Sequence, residues 1–472
     1  MVFSSLTFLF YFLPLHLILY FASSNRTWQN WVLIVFSMIF YAWGEPVWIS
    51  LLLFSASIDY LHGRIIERNR ATWKGKAALI SSLVLNLSLL GFFKYAAFIA
   101  DNLNQLLGTQ LPLLDFGLPI GISFYTFQTL SYVIDVYLGK VTAQQQYHKF
   151  LMYVSLFHQL VAGPIVRYRD IAHEIDNRTV SLSRFSQGIT RFSVGLGKKV
   201  LLANSVGEAS EYFLMGEASS LSVLGAWFGI ALFGLQIYYD FSGYSDMAIG
   251  LGRMFGFTYL ENFNYPYIAR SASDFWRRWH ISLGSFFRDY VYIPLGGNRK
   301  NTLFNLLVVW FLTGLWHGAS WNFVIWGLFY GFLIIIEKAA HPYLWHSRSP
   351  LHSLPRLLVR SLSHLYLITA VLIGWVFFYF TDLSTGFSYL KTMAGLSGAP
   401  LTSPDLAIQF NNHFVLFMVA IVLSTPVVPL LKKRWDHLPL DNLQPLANAA
   451  LLLISTALLV GATYNPFLYF RF

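Results

Sequence analysis

The sequence predicts an all-α polytopic membrane protein, and three observations carry that expectation. Of its 472 residues, 56% are hydrophobic and only 11% are Asp, Glu, Lys or Arg, whereas a soluble domain carries about 25% charged residues. So little charge cannot clothe a surface in water, and lipid must cover it instead. Apolar stretches near the roughly 20 residues that cross a bilayer recur along the chain. No polar block between them is long enough for a soluble domain. The expectation is one membrane domain over residues 1–472, with about ten to twelve membrane helices.

The first span lies near residues 5–22. It lacks a basic n-region and a small-residue cleavage site, so it reads as a retained helix. Residues 30–60 hold two spans, broken at Gly44-Glu45-Pro46. Further spans are expected near 77–93, 117–138, 149–165, 189–205, 221–250, 303–316, 320–337, 364–381, 413–431 and 446–464. Several are short or carry Gly and Pro. Some of these are expected as re-entrant or half-spanning helices, which need protein around their free backbone groups. Trp28, Trp31, Tyr41, Trp43 and Trp48 predict an interfacial aromatic belt. The short basic segment Arg64–Lys76 predicts a cytoplasmic loop.

Lys and Arg number 32 against 22 Asp and Glu, a net charge of +10. In a membrane protein this reads as basic loops retained on the cytoplasmic side, not as a nucleic-acid surface. Cysteine is absent, which removes disulfides, thiol nucleophiles and thiolate metal sites. No metal site is expected. Nucleotide-binding loops, a serine nucleophile elbow, HExxH and dinucleotide fingerprints are also missing, which argues against an ATP-driven pump and a soluble-type hydrolase.

From Asn301 to Ile336 there is no Asp, Glu, Lys or Arg, and His317 is the one side chain that titrates near neutrality. An ionisable group at membrane depth costs a few kcal/mol or more unless protein or a cavity receives it. Imidazole suits a general base. Gly314 and Gly318 flank it, so backbone or substrate can approach closely.

A second cluster runs from Ser271 to Tyr290, within the long segment Leu251–Lys300, which is too polar to span and too apolar to be a solvated loop. Ser271 with Asp274 fits a capping box opening a helix. Asp274 stands three and four residues before Arg277 and Arg278, and His280 is expected on the same helix face as Arg277. A snorkelling interfacial helix explains the Trp and Arg content, but not a second histidine followed by Arg288-Asp289 and the turn at Pro294–Asn298. A third set, Gln236, Asp240, Ser242, Tyr244, Ser245 and Asp246, places two carboxylates in an apolar run, where they must be paired. Gly243 offers a helix break between them. A fourth, His158-Gln159, ends at Gly163-Pro164 and is followed by Arg167 and Arg169.

The blocks Asp274-Phe-Trp-Arg-Arg-Trp-His280, Phe287-Arg-Asp-Tyr290, Pro294–Lys300 and Gly314-Leu-Trp-His-Gly318 resemble the membrane-bound O-acyltransferase (MBOAT) family. Leu118–Phe127, Ala162–Arg167, Tyr239–Met247 and the final Tyr464–Phe472 resemble its bacterial branch, which O-acetylates polysaccharides. The resemblance implies a ring of tilted helices with re-entrant and interfacial helices around a central tunnel, the catalytic part spanning roughly 110–380. It implies His317 as catalytic histidine and His280 as its second histidine. Asp240, Asp246, Asp289 and Trp316 are expected as polar and structural support. It implies acetyl-coenzyme A as donor, with no permanently bound cofactor. Arg277, Arg278, Arg288, Arg299 and Lys300 are available for the donor's pyrophosphate. The acceptor would be alginate, another exopolysaccharide or peptidoglycan, reached through an extracytoplasmic acetyltransferase partner, from a bacterial inner membrane. His317 would act as general base, or the enzyme or a partner would hold the acetyl group in transit. Rival readings are D-alanyl transfer to teichoic acid from a carrier protein, and an acyl or lipid transporter using the histidines as proton relays.

Overall fold

Why the apolar stretches become helices follows from the bilayer, where each backbone N–H and C=O must be satisfied within its own segment. The computed structural model describes all residues except 114–115, 217–220, 345–354, 436–439, 463–464, 466 and 469–472. Most of the final Tyr464–Phe472 block therefore lies outside the described residues. Every regular element among the described residues is helical, and the chain divides into two compact units.

The first unit comprises residues 1–196, 244–260 and 451–461. A π-turn at Phe8–Phe12 leads into α1 (Leu13–Phe21), then α2 (Arg26–Ala42), α3 (Ile49–Arg68), α4 (Trp73–Leu107), α5 (Ile122–Tyr137), α6 (Tyr147–Ser155), α7 (Phe157–Leu160), α8 (Tyr168–Asn177) and α9 (Leu182–Gly197). The break at Gly44-Glu45-Pro46 falls between α2 and α3, as its composition predicts. The expected span at 149–165 is instead the short pair α6 and α7, because Leu156 leaves helical geometry (ψ 114°). Tyr41, expected in the aromatic belt, is buried at 2% exposure, whereas Trp28, Trp31 and Trp43 are exposed. A buried Asp59 on α3 accepts from Ser82 (2.5 Å) and Asn86 (2.8 Å) on α4, so the charge in this helix pair is satisfied across the interface. Gly63 lets α3 close on α5, where a Cβ would stand 2.6 Å from the Tyr132 ring.

The second unit comprises residues 197–243, 261–450 and 462–472. It holds α10 (Asn204–Leu214), most of α11 (Val223–Met254), α12 (Ala272–Arg278), α13 (Ile281–Phe287), α14 (Thr302–His317), α15 (Trp321–Leu344), α16 (Arg356–Tyr379), α17 (Leu383–Met393), α18 (Pro404–Leu423), α19 (Val427–Arg434) and the start of α20 (Gln444–Gly461). Gly243 does not break α11. The helix runs through it, and each flanking carboxylate finds its own cation.

Seven helices among the described residues are long and apolar enough to cross a membrane: α3, α4, α11, α15, α16, α18 and α20. Phe8–Phe21 and α14 are shorter apolar helices. The remaining expected spans fall on short segments such as α5. At about 1.5 Å per residue, the 35-residue α4 is about 50 Å long, more than the roughly 30 Å hydrocarbon core, so it tilts or projects.

Helices α14 and α15 form a hairpin joined by residues 318–320. Side-chain-free positions let them close: a Cβ at Gly327 would meet Gly314 at 3.0 Å, and one at Gly314 would strike the Phe323 carbonyl. The glycine beside the histidine thus admits a neighbouring helix, not a substrate. His317 is held at the end of a rigid pair.

Candidate active site

His317 is the last residue of α14, where Gly318 turns extended (φ −167°) and ends the helix. It is 6% exposed and caged edge-on by Trp316, Trp326 and Phe378, with ring centroids 4.9, 4.8 and 5.2 Å away. Its ring lines a small cavity of about 20 Å³, room for about one water molecule. Ile237, Asp240, Phe241, Trp279, Trp326, Trp375, Phe378 and Leu468 complete the wall. His317 and Asp240 are its acid–base side chains.

Asp240 is buried and lies 2.7 Å from the ammonium of an equally buried Lys199. Its second oxygen accepts the backbone N–H of Leu468 at 2.9 Å. A charge this deep needs both a counter-ion and hydrogen bonds, and Asp240 has both.

His280 reaches the same aromatic cluster from another direction. Ser271 caps α12 by accepting from the Asp274 N–H (3.0 Å), and Glu337 of α15 accepts from the Ala272 and Ser273 N–H groups and the Ser273 hydroxyl. Asp274, expected to complete the capping box, pairs with Arg278 at 3.0 Å, and the inter-helix carboxylate caps the two N–H groups that follow Ser271. Helix α12 ends at Arg278. His280 therefore does not share its face with Arg277; it sits beyond the helix in the left-handed region at φ 44°. The strain is held by a local clasp. Asn262 Oδ1 receives His280 Nδ1 (3.1 Å), the Ser282 hydroxyl (2.9 Å) and the Ser282 N–H (3.2 Å), and its carbonyl accepts from the Ile281 N–H. A backbone N–H fixes that atom as oxygen, so it accepts from the imidazole. In the neutral ring the proton is then on Nδ1, and Nε2 is the basic nitrogen.

Trp316 joins the two histidines, its ring 4.9 Å from His317 and 5.7 Å from His280, with Phe241 edge-on to His280 at 4.7 Å. Asn262, Glu337, Lys199 and Leu468 were not singled out by sequence reasoning. Asn262 carries one weak signal, a polar residue within an aromatic run. The others are joined to the site only by folding.

The expected cationic residues divide. Arg278 is engaged by Asp274 and by the Asn264 carbonyl (3.3 Å), so it serves the α12 turn. Arg277, Arg288, Arg299 and Lys300 are exposed, Arg288 bonding Asp289 at 2.7 Å. Asp246 lies in the first unit, bound to Arg191 at 2.6 Å. So does His158, bonded through Nδ1 to Tyr259 at 2.6 Å. Among the described residues, no group of three His, Asp or Glu side chains is arranged to hold a metal.

Seven helices among the described residues, long and apolar enough to cross a membrane, make this a multi-pass membrane protein, and its second unit holds the two buried histidines, His280 and His317. The chain belongs to the membrane-bound O-acyltransferase family, whose model matches residues 1–348, and is an O-acetyltransferase. It is 39% identical to a probable alginate O-acetylase of Azotobacter vinelandii over 89% of this chain and 85% of that one. A probable alginate O-acetylase of Pseudomonas putida is 37% identical over the full length of both. The peptidoglycan O-acetyltransferase of Helicobacter pylori is 31% identical over 100% of this chain and 98% of its own.

Proposed function

We propose that this enzyme takes acetyl groups from cytoplasmic acetyl-coenzyme A and passes them across a bacterial inner membrane for O-acetylation of a secreted, alginate-like polysaccharide. The observation that carries the chemistry is His317, buried in the wall of a cavity beside the Lys199–Asp240 pair. The accepting hydroxyl gives its proton to His317 as its oxygen attacks the thioester carbonyl. The tetrahedral intermediate collapses with cleavage of the C–S bond, and the proton passes to the departing thiolate. Exposed Arg277, Arg288, Arg299 and Lys300 offer charge to the donor's pyrophosphate. His280, its basic Nε2 set by Asn262, orients the accepting group or stabilises developing charge. The hydroxyl belongs to the polysaccharide or to an extracytoplasmic partner acetyltransferase that completes the transfer. Higher identity to the alginate O-acetylases than to the peptidoglycan O-acetyltransferase favours the secreted polymer.

The test is His317→Ala in the native host, with membrane insertion verified by quantifying the full-length chain. Acetyl esters on the secreted polysaccharide should vanish. Wild-type ester levels would overturn the assignment, and esters lost from the cell wall instead would move the acceptor to peptidoglycan.

A further inference from the structure

The cavity beside His317 is too small for the acyl end of a thioester, since about 20 Å³ holds only about one water. Its wall must yield when the donor arrives. The ring side chains of the wall pack on the histidine or on one another: Trp326 and Phe378 touch His317 edge-on, and Trp375 packs against both Trp279 (5.0 Å) and Phe378 (5.5 Å). Moving Trp326 or Phe378 disturbs the histidine itself.

Leu468 is different. It lies beyond α20, in a segment of the chain separate from the rest of the wall, yet is only 4% exposed and belongs to the core of the second unit. Its position comes from polar contacts with that same unit. Its N–H donates to Asp240, Asp240 is held by Lys199, and Asn465 accepts from Asn204 at 3.2 Å. The ion pair thus has a task besides neutralising itself, presenting an aliphatic side chain to the cavity from a separate segment.

We infer that Leu468 is the size-limiting wall of the acyl pocket beside His317, and that the Lys199–Asp240 pair is the clasp that positions it. The inference rests on the acyl-transfer reading of His317. It makes Leu468 the residue that restricts the enzyme to the shortest acyl groups, through packing, and makes Lys199 and Asp240 positioning residues that act through it. An aliphatic wall distinguishes homologous chains by the methylenes it excludes, each worth about 10-fold or more in a tight apolar pocket.

The experiment compares acetyl-, propionyl- and butyryl-coenzyme A as donors, using native-host membranes carrying the full-length chain and the host's chemically deacetylated polysaccharide as acceptor. Transfer is read as acyl esters on the polymer. Leu468→Ala removes the branch beyond Cβ and should raise the propionyl-to-acetyl ratio about 10-fold or more. Leu468→Trp should reduce transfer from all three donors. Asp240→Ala alone leaves a buried ammonium without its partner, a strongly destabilising change, so the paired variant Lys199→Met with Asp240→Ala removes both charges together. It should widen selectivity in the direction of Leu468→Ala while leaving Leu468 in place, an effect that mere destabilisation would not produce. An unchanged donor ratio in Leu468→Ala overturns the inference while His317→Ala remains inactive. Failure of the underlying reading shows separately, as a His317→Ala enzyme as active as wild type.

Discussion

Replacing Asn262 tests the reasoning that gives His280 its basic Nε2. Three donors converge on one buried oxygen: the imidazole Nδ1–H, the Ser282 hydroxyl and the Ser282 N–H. Asn262, His280 and Ser282 are 1, 1 and 2% exposed. Asn262→Ala removes the acceptor from all three. The hydroxyl can rotate elsewhere, but the ring and backbone donors cannot, and a buried donor left unmade costs about 1–3 kcal/mol. At about 2 kcal/mol of lost positioning, transfer should fall about 30-fold, since 1.4 kcal/mol is tenfold. Asn262→Asp keeps all three bonds and adds a negative charge against the imidazole, which favours the charged ring. Burial holds the His280 pKa down, to about 3, and the added carboxylate raises it, leaving less of the basic ring at low pH; transfer by the variant should therefore fall off at a higher pH than transfer by the wild type, while the alkaline plateau is retained. The assay is acetyl-ester formation by native membranes between about pH 5 and 9. Full activity in Asn262→Ala alongside an inactive His280→Ala would refute the argument, because His280 would then work without its clasp. An unmoved fall-off in Asn262→Asp would refute the tautomer.

Two further changes probe the scaffold. Gly327→Ala places a Cβ 3.0 Å from Gly314 and against the Trp310 carbonyl; overpacking of this kind costs about 1–3 kcal/mol, and the variant should melt earlier in detergent and lose activity. Gly91→Ala, where a Cβ meets nothing within 4 Å, is the control that should leave both unchanged. Glu337→Ala strips the inter-helix carboxylate from the start of α12. Losing a helix cap costs about 0.5–2 kcal/mol, so transfer should drop several-fold through displaced His280, with protein level maintained; activity equal to wild type would show that α12 is held without it.

What the sequence made legible and what it hid divide along the distance between partners. The break at Gly44-Glu45-Pro46, the Ser271 cap and the isolation of His317 in an apolar stretch are local, written within a few residues, and the fold keeps them. Gly314 signals a close approach by backbone or substrate, and the approaching atoms are the backbone of α15, a choice that depends on how two helices pair. Gly243 looked like a break because glycine weakens an isolated helix by about 1 kcal/mol. Buried packing along α11 offsets that small cost, and the carboxylates either side of it are paired by residues 41 and 55 positions away.

His280 shows the limit most directly. A helical reading of Ser271–Tyr290 puts it on the face of Arg277, since the spacing alone fits. Its actual conformation, left-handed at φ 44°, is unfavourable for a non-glycine residue and carries no local signature. It exists because Asn262, 18 residues earlier, supplies one oxygen to three donors, and because Glu337, 65 residues after Ala272, anchors the helix before it. Leu468 stands farther still, 228 residues from the Asp240 that holds it. Strain at a functional residue must be held by contacts made elsewhere. The residues that hold this site are therefore the ones a linear reading is least able to find, and their substitution should alter rate, pH profile or acyl selectivity before it alters the fold.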